Sequence, residues 1–328
     1  MAMGTPGHHQ HADTRGLLLM VASALCFAAM APFTRKWLRA VDPQSIVLAR
    51  AVVMLLVFGV WARVAGVSLA GHDRSGLVLR GFLGYLAISC YVWSTQHLPP
   101  GQAVLLQYSH PVFVAALAPL LLSERPGPLH WPLVLAGVVG LALALGVAGL
   151  GDANHRAVAI GLGGACLSGF AYMTVRRVAA TEAPLTIVFW FALVMLPASL
   201  IGALVPWSPL DALAGLTGNS VQGLEAAGSA PVATPRHLVP GVTREWLGCA
   251  AVVAAGLLGQ ITLTEGLARA GAARAVAVTM AGPLFGLAFD VLFFGQWPTP
   301  VALIGTVVVV AALSALGLLK PRVLEEAR

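Results

Sequence analysis

Residues Pro43–Leu55 read PQSIVLARAVVML, and residues Pro184–Leu196 read PLTIVFWFALVML. Seven of these 13 positions are identical: Pro43/Pro184, Ile46/Ile187, Val47/Val188, Ala51/Ala192, Val53/Val194, Met54/Met195 and Leu55/Leu196. A match this dense within one chain means one structural unit built twice, which fixes the architecture before any side-chain chemistry is considered. The two copies differ most sharply where Arg50 stands opposite Phe191.

The repeat extends in both directions. Gly16, Ser23 and Phe27 align with Gly161, Ser168 and Tyr172. Downstream, Ala103, Val104, Pro111, Phe113 and Pro126 align with Ala275, Val276, Pro283, Phe285 and Pro298. The offset is 141 residues at the second run and 172 at the fourth. The added length falls mainly in residues 207–244, a Gly-, Ser-, Pro- and Ala-rich stretch that reads as a flexible loop.

The chain is 58% hydrophobic and 10% charged, with a mean hydropathy of +0.86, against about 25% charged residues in soluble domains. One aqueous core cannot hide that much apolar surface, so the exterior is solvated by lipid. The net charge of +6 comes without a basic block interleaved with aromatics. Nucleic acid is therefore not a partner, and the charge reads as cytoplasmic loops. The four cysteines lie in apolar runs without CxxC spacing, which argues against a disulfide framework or zinc site. No metal or other cofactor is expected. His8, His9 and His11 fall in a polar segment, 1–15, that reads as a disordered cytoplasmic tail. No cleavable signal peptide is evident, and the first apolar run reads as an uncleaved anchor.

A spanning helix needs about 20 apolar residues. Ten such runs are present: Gly16–Thr34, Pro43–Ala62, Gly76–Gln96, Gly101–Leu122, Trp131–Gly149, Ala159–Ala179, Pro184–Pro206, Glu245–Ala268, Gly271–Phe294 and Thr299–Leu319. The expected fold is an all-α integral membrane protein with ten transmembrane helices, arranged as two five-helix repeats at 16–149 and 159–319. A short cytoplasmic tail, 320–328, follows. Five is odd, so the second half enters the membrane in the opposite sense, giving an inverted repeat. With both termini cytoplasmic, twelve Lys/Arg fall on the inner side, Arg80 among them, and six on the outer side, which favours that orientation. Trp37, Trp61, Trp131, Trp207, Trp246 and Trp297 sit near span edges as an interfacial belt. Trp93 and Trp190 lie deeper and are candidates to line a cavity.

These features resemble the EamA family of the drug/metabolite transporter superfamily. The resemblance runs from about Gly16 to Leu319. It is carried by the paired halves, Arg50 in IVLARAVVMLL, the QYSHPVFVAALAPLLLSE stretch with Pro111 and Glu124, and AVAVTMAGPLFGLAF with Pro283. Gln296 stands where the first half has Glu124, and the 207–244 loop is a second departure. The resemblance implies a secondary carrier of the bacterial inner membrane with alternating access around a central cavity. The expected partners are a small-molecule substrate and the lipid bilayer, with protons a further candidate and a homodimer left open. The favoured reading is an exporter of small organic metabolites, whether amino acids, related solutes or drugs. A metabolite importer and a flippase for a lipid-linked head group are the alternatives.

The residues themselves give the candidate site. Arg50, about 10 Å into its helix at 1.5 Å per residue, is costly in lipid; it binds an anionic group or anchors helix ends. Asp290 is the acid well inside the ninth run, and an Arg50–Asp290 pair would serve as a gate, a proton site or a static bridge. His110 lies near the midplane and titrates near neutrality, which makes it a coupling residue or a hydrogen-bonding histidine. Pro111 follows it and removes a backbone donor, as Pro283 does in the second half. Gln107 sits one turn before His110, and Gln260 gives the second half its own polar face. Ser23, Ser168, Trp93, Tyr172 and Trp190 are further candidates for the cavity wall. Glu265 reads as an interfacial ion pair with Arg269. Catalytic residues are not expected: HExxH and GxSxG are missing from the sequence.

Overall fold

Proline and an acidic cap start several of the helices. Asp42 accepts the Gln44 N–H at 2.8 Å, and Pro43 takes the first helical position, where its missing N–H costs nothing. Among the described residues of a computed structural model (6–121, 128–146, 152–204, 238–269 and 278–318), eleven helices form. They are α1 (Pro6–Trp37), α2 (Pro43–Val64), α3 (Arg74–His97), α4 (Pro100–Gln107), α5 (His110–Leu121), α6 (His130–Leu145), α7 (Asp152–Val178), α8 (Pro184–Leu204), α9 (Thr243–Arg269), α10 (Gly282–Phe294) and α11 (Pro300–Leu318). The backbone is already helical at Pro6, where the sequence suggests a disordered tail. The 320–328 tail and most of the 207–244 loop lie outside the described residues.

The described residues do not form ten uninterrupted spans. Among the described residues, six helices are long and apolar enough to cross a membrane: Thr14–Trp37, Pro43–Val64, Arg74–His97, His155–Val175, Pro184–Leu204 and Thr243–Gly266. Three apolar helices are shorter, at His130–Leu145, Gly282–Phe294 and Pro300–Leu316. The remaining run is split into α4 and α5 by a turn at Tyr108–Ser109, and a matching turn at Met280–Ala281 precedes α10. The two breaks are 172 residues apart, as are Pro111 and Pro283. Their hydrogen bonds correspond: Ser109 N–H donates to Leu106 O and Val112 N–H to Ser109 O, while Ala281 N–H donates to Val278 O and Leu284 N–H to Ala281 O. Each proline lacks the N–H that would continue the helix, so both runs turn just before it.

Packing repeats across the two halves. Exchanging α1–α3 with α7–α9, α4/α5 with α10, and α6 with α11 maps the contact of α1 with α9 onto that of α7 with α3. The same exchange maps α2 on α9 onto α8 on α3, and leaves the pairs α2/α8, α6/α11 and α4/α10 in place. Small residues permit the closest of these approaches: a methyl added at Gly305 of α11 would overlap backbone atoms of Gly140 and Ala144 on α6. The outward faces carry leucine, as at Leu56 (63% exposed), Leu135 (63%) and Leu292 (75%), a surface suited to lipid.

Candidate functional site

Half-way along the 100–121 run, the break leaves a carbonyl without its helical donor. Residue 111 would normally donate to the Gln107 carbonyl, but it is proline. The imidazole of His110 fills that place, with Nδ1 2.9 Å from Gln107 O. A carbonyl only accepts, so Nδ1 carries the proton and Nε2 is the nitrogen left to accept or release one. The break thus fixes the tautomer of the histidine beside it.

Two further contacts join this break to α7 in the other half. Gln107 Nε2 donates to Ser168 Oγ at 3.0 Å. One turn beyond Ser168, the Tyr172 ring stacks on His110, with centroids 4.5 Å apart and planes 7° from parallel. Four of the expected residues therefore meet in one cluster: Gln107, His110, Ser168 and Tyr172. Ser23, the repeat mate of Ser168, donates instead to Gly259 O at 3.0 Å and ties α1 to α9. Gln260 is half-buried and makes no side-chain hydrogen bond among the described residues.

Two arginines with buried nitrogens lie within the bundle, one of them near Tyr172. Arg50 is 4% exposed; its Nη1 lies 3.8 Å from Met30 Sδ, its Nε has no partner, and its guanidinium lies 5.9 Å from the Phe27 ring. Arg80 sits on α3, with its guanidinium 4.7 Å from the Phe191 ring and its Nε and Nη1 buried without partners. Tyr172 is within its electrostatic reach. No acidic side chain pairs with either arginine among the described residues. Arg50 is the eighth residue of α2, far from the loop at 65–73, whereas Arg80 is the seventh residue of α3, close to that loop. The two cations therefore stand toward opposite ends of the bundle.

The expected Arg50–Asp290 pair does not form. Asp290 Oδ2 instead accepts the Gly101 N–H at 2.9 Å, placing a carboxylate at the N-terminus of α4, and Oδ1 has no partner. The arginine near it electrostatically is Arg35, whose guanidinium lies over the Phe294 ring. A helix N-terminus attracts an anion through its free N–H groups and dipole, and that local attraction prevails over a distant arginine. The stripe Gly282, Gly286 and Asp290 is a close helix contact: Gly282 faces Tyr108, Gly286 faces Val104, and Asp290 faces Gly101.

Trp190 and Trp93 do not join the cluster. The Trp190 indole donates to Leu69 O at 2.9 Å and packs with Leu77, Val178 and Ile187 at the loop end of the bundle. There Thr186 Oγ1 donates to Ser68 O at 2.9 Å, and Glu182 Oε1 accepts the backbone N–H groups of His72 and Asp73 (2.7 Å for Asp73). Gly76 N–H and the Ser75 hydroxyl hold the Asp73 carboxyl below the usual carboxylate range. Trp93 stacks on His97, with centroids 3.8 Å apart, near the other end of α3. An amphipathic indole is used by its N–H as often as by its face, and depth along a helix does not reveal which. Glu265 lines a pocket of about 180 Å³ with Trp61, Val67 and Pro184 at the loop end, while the Arg269 side chain lies outside the described residues.

The sequence counts Arg80 among the inner-side charges, although the run Gly76–Gln96 contains it, and so passes it over as a candidate. A signal near it exists: Gly84 and Gly256 stand 172 residues apart, which carries the repeat through the third helix of each half.

Comparison with known proteins agrees with this architecture. The sequence profile of the EamA-like transporter family matches residues 14–146 and 155–318. A pseudopaline exporter of Pseudomonas aeruginosa is 26% identical over 302 residues, covering 92% of this chain and 95% of that protein. A riboflavin transporter of Vibrio cholerae is 23% identical over 204 residues, covering 60% of this chain and 67% of the other. One solved crystal structure shares the fold, with a TM-score of 0.61 at 18% identity, covering 92% of this chain and 96% of that chain.

Proposed function

The chain belongs to the EamA-like transporter family, and from that premise we propose that it exports small organic metabolites by alternating access around the Gln107–His110–Ser168–Tyr172 cluster. As a member of that family it is a multi-pass membrane protein and a secondary transporter of small molecules, not an enzyme. In the proposed arrangement the two halves are inverted repeats of five spans each, both termini face the cytoplasm, and the membrane is the bacterial inner membrane. Export is supported by the likeness to the pseudopaline exporter, which extends over 92% of the chain.

The observation that carries the reading is the bridge between the halves at the helix break. Gln107 Nε2 on Ser168 Oγ and His110 on Tyr172 connect the first half to the second where backbone donors are missing. Irregular backbone at membrane depth persists where it is buried in protein or lines a water-filled path, and broken helices in paired repeats mark binding sites in many carriers. A solute would replace the Gln107–Ser168 bond, freeing an amide and a hydroxyl to hold it. His110 Nε2 would then bind the solute or take a coupling proton, and rocking of one half against the other would expose the site alternately to each side. The test is a solute screen by counterflow in proteoliposomes containing the full chain, with and without a pH gradient. Flux of at least one metabolite above that of empty liposomes supports the reading, whereas a complete screen with no flux contradicts it.

A further inference from the structure

Arg50 and Arg80 occupy related places although they are not aligned in sequence. In the repeat, Arg50 on α2 corresponds to Phe191 on α8, and Gly84 on α3 corresponds to Gly256 on α9. Gly256 faces Arg50: a methyl added there would lie 3.0 Å from Arg50 Nε. Gly84 faces Phe191, at 2.8 Å from such a methyl, and also the Arg80 guanidinium. Phe27, beside Arg50, corresponds to Tyr172, which lies near Arg80. Each guanidinium therefore sits in the same nest, formed by a glycine of the third helix and an aromatic ring of the first. The cation reaches that nest from α2 in one half and from α3 in the other. The phenylalanine that replaces arginine on α8 becomes the surface on which Arg80 lies.

Neither guanidinium has a carboxylate partner among the described residues, and each holds buried nitrogens without hydrogen bonds. Stacking on a ring offsets only part of the cost of a desolvated cation at membrane depth. Two such cations stand toward opposite ends of the bundle, and each lacks the anion that would complete it.

We propose that Arg80 is a second anion-binding station, the twofold counterpart of Arg50, and that the transported solute carries a carboxylate that passes between the two. This rests on the transporter reading above and adds the substrate class to it. A single planar guanidinium matches a carboxylate through two parallel N–H···O bonds. One cation per station balances one negative charge, which favours a carboxylate over a doubly charged phosphate. Tyr172 is near both Arg80 and His110, so a solute leaving Arg80 meets the central cluster next.

The experiment uses the purified full chain and matched acid and amide probes: benzoate and benzamide, succinate and succinamide, L-histidine and L-histidinamide. Thermal unfolding reads binding, and counterflow in proteoliposomes reads transport. At least one acid is expected to stabilise the wild type while its amide does not. Its affinity should fall about tenfold or more in Arg80→Gln, the scale of one charge-assisted hydrogen bond, and return in the double variant Arg80→Gln/Phe191→Arg, which moves the cation to the position aligned with Arg50. If Arg80→Gln does not fold, Arg80→Lys keeps the charge, loses the fork and should still weaken the acid relative to wild type. The proposal is overturned if no acid outperforms its amide, if Arg80→Gln or Arg80→Lys binds the acid as wild type does, or if Phe191→Arg restores nothing. Wild-type flux of solutes without acid preference overturns this assignment alone, while absence of any flux overturns the transporter reading itself.

Discussion

The rings of His110 and Tyr172 lie face to face, with centroids 4.5 Å apart, and they come from opposite halves of the chain. His110 is held there from the other side by the Gln107 carbonyl that Pro111 leaves without a donor. Substitution separates the two roles. His110→Phe keeps the stack and loses both nitrogens, whereas His110→Ala loses the stack as well. Both leave the carbonyl unsatisfied, which costs about 1–3 kcal/mol. We expect both variants to lose flux about tenfold or more, the scale of one functional hydrogen bond, and to lose any dependence of flux on a pH gradient. Proteoliposome flux at two internal pH values checks this. Unchanged flux and coupling in His110→Phe would remove the imidazole from the site.

Asp290 fixes the start of α4 through Gly101, and the fit leaves no room for a side chain. Asp290→Asn keeps an oxygen acceptor and should lower stability modestly. Asp290→Leu removes the acceptor and should cost about 1–3 kcal/mol. Gly101→Ala drives a methyl into the carboxylate and should cost about 1–3 kcal/mol by overpacking. Thermal unfolding in detergent ranks the three, with Asp290→Asn the mildest. A milder Asp290→Leu would mean that the N-terminal anchor contributes little.

Glu182 ties the 65–73 loop to the corner between α7 and α8, at the end of the bundle that Arg80 approaches. Glu182→Ala frees two backbone N–H groups and should make a cysteine introduced at Tyr172 react faster with a maleimide added on that side. Asp73 makes the same region sensitive to acid. Its carboxyl is held below the usual range by Gly76 N–H and Ser75, so its stabilisation is present above its unfolded pKa, about 3.9, and is lost as pH falls through the lower folded value. The difference in Tm between wild type and Asp73→Ala should therefore be largest near neutrality and narrow below about pH 4.

At the contact of α6 with α11, Gly305 meets backbone rather than side chains, so nothing there can swing aside. Gly305→Ala should cost about 1–3 kcal/mol and lower the folded yield. Gly163, where an added methyl meets nothing within 4 Å, should accept alanine without loss. Yield and Tm of the two variants, measured side by side, test the contact.

The repeat was legible because identities at fixed offsets survive in sequence, and Pro111 and Pro283 marked the breaks because a missing N–H needs no tertiary knowledge to recognise. Gln107, His110, Ser168 and Tyr172 were legible as polar or aromatic residues at mid-span. Other positions were not. In sequence Asp290 reads as a mate for Arg50, since the pair would cancel two costly charges, but an acid at a helix N-terminus satisfies itself with Gly101, a backbone partner with no side-chain signature. Trp190 reads in sequence as cavity wall, whereas its indole N–H reaches a loop carbonyl. Arg80 was hidden by a count that treats any arginine near a span end as solvated. The nest it shares with Arg50 shows only when Gly84 and Gly256 are seen to be mates.

Flux through proteoliposomes containing Gln107→Leu, compared with wild type on the solute that wild type carries best, tests the central claim most directly. Gln107→Leu keeps the volume of the side chain and removes the amide that joins α4 to Ser168. The account predicts a folded protein with wild-type Tm to within a few degrees, as expected for loss of about 1 kcal/mol, and flux reduced about tenfold or more by loss of a substrate hydrogen bond. Wild-type flux in a folded Gln107→Leu protein would contradict a substrate site at the broken helix.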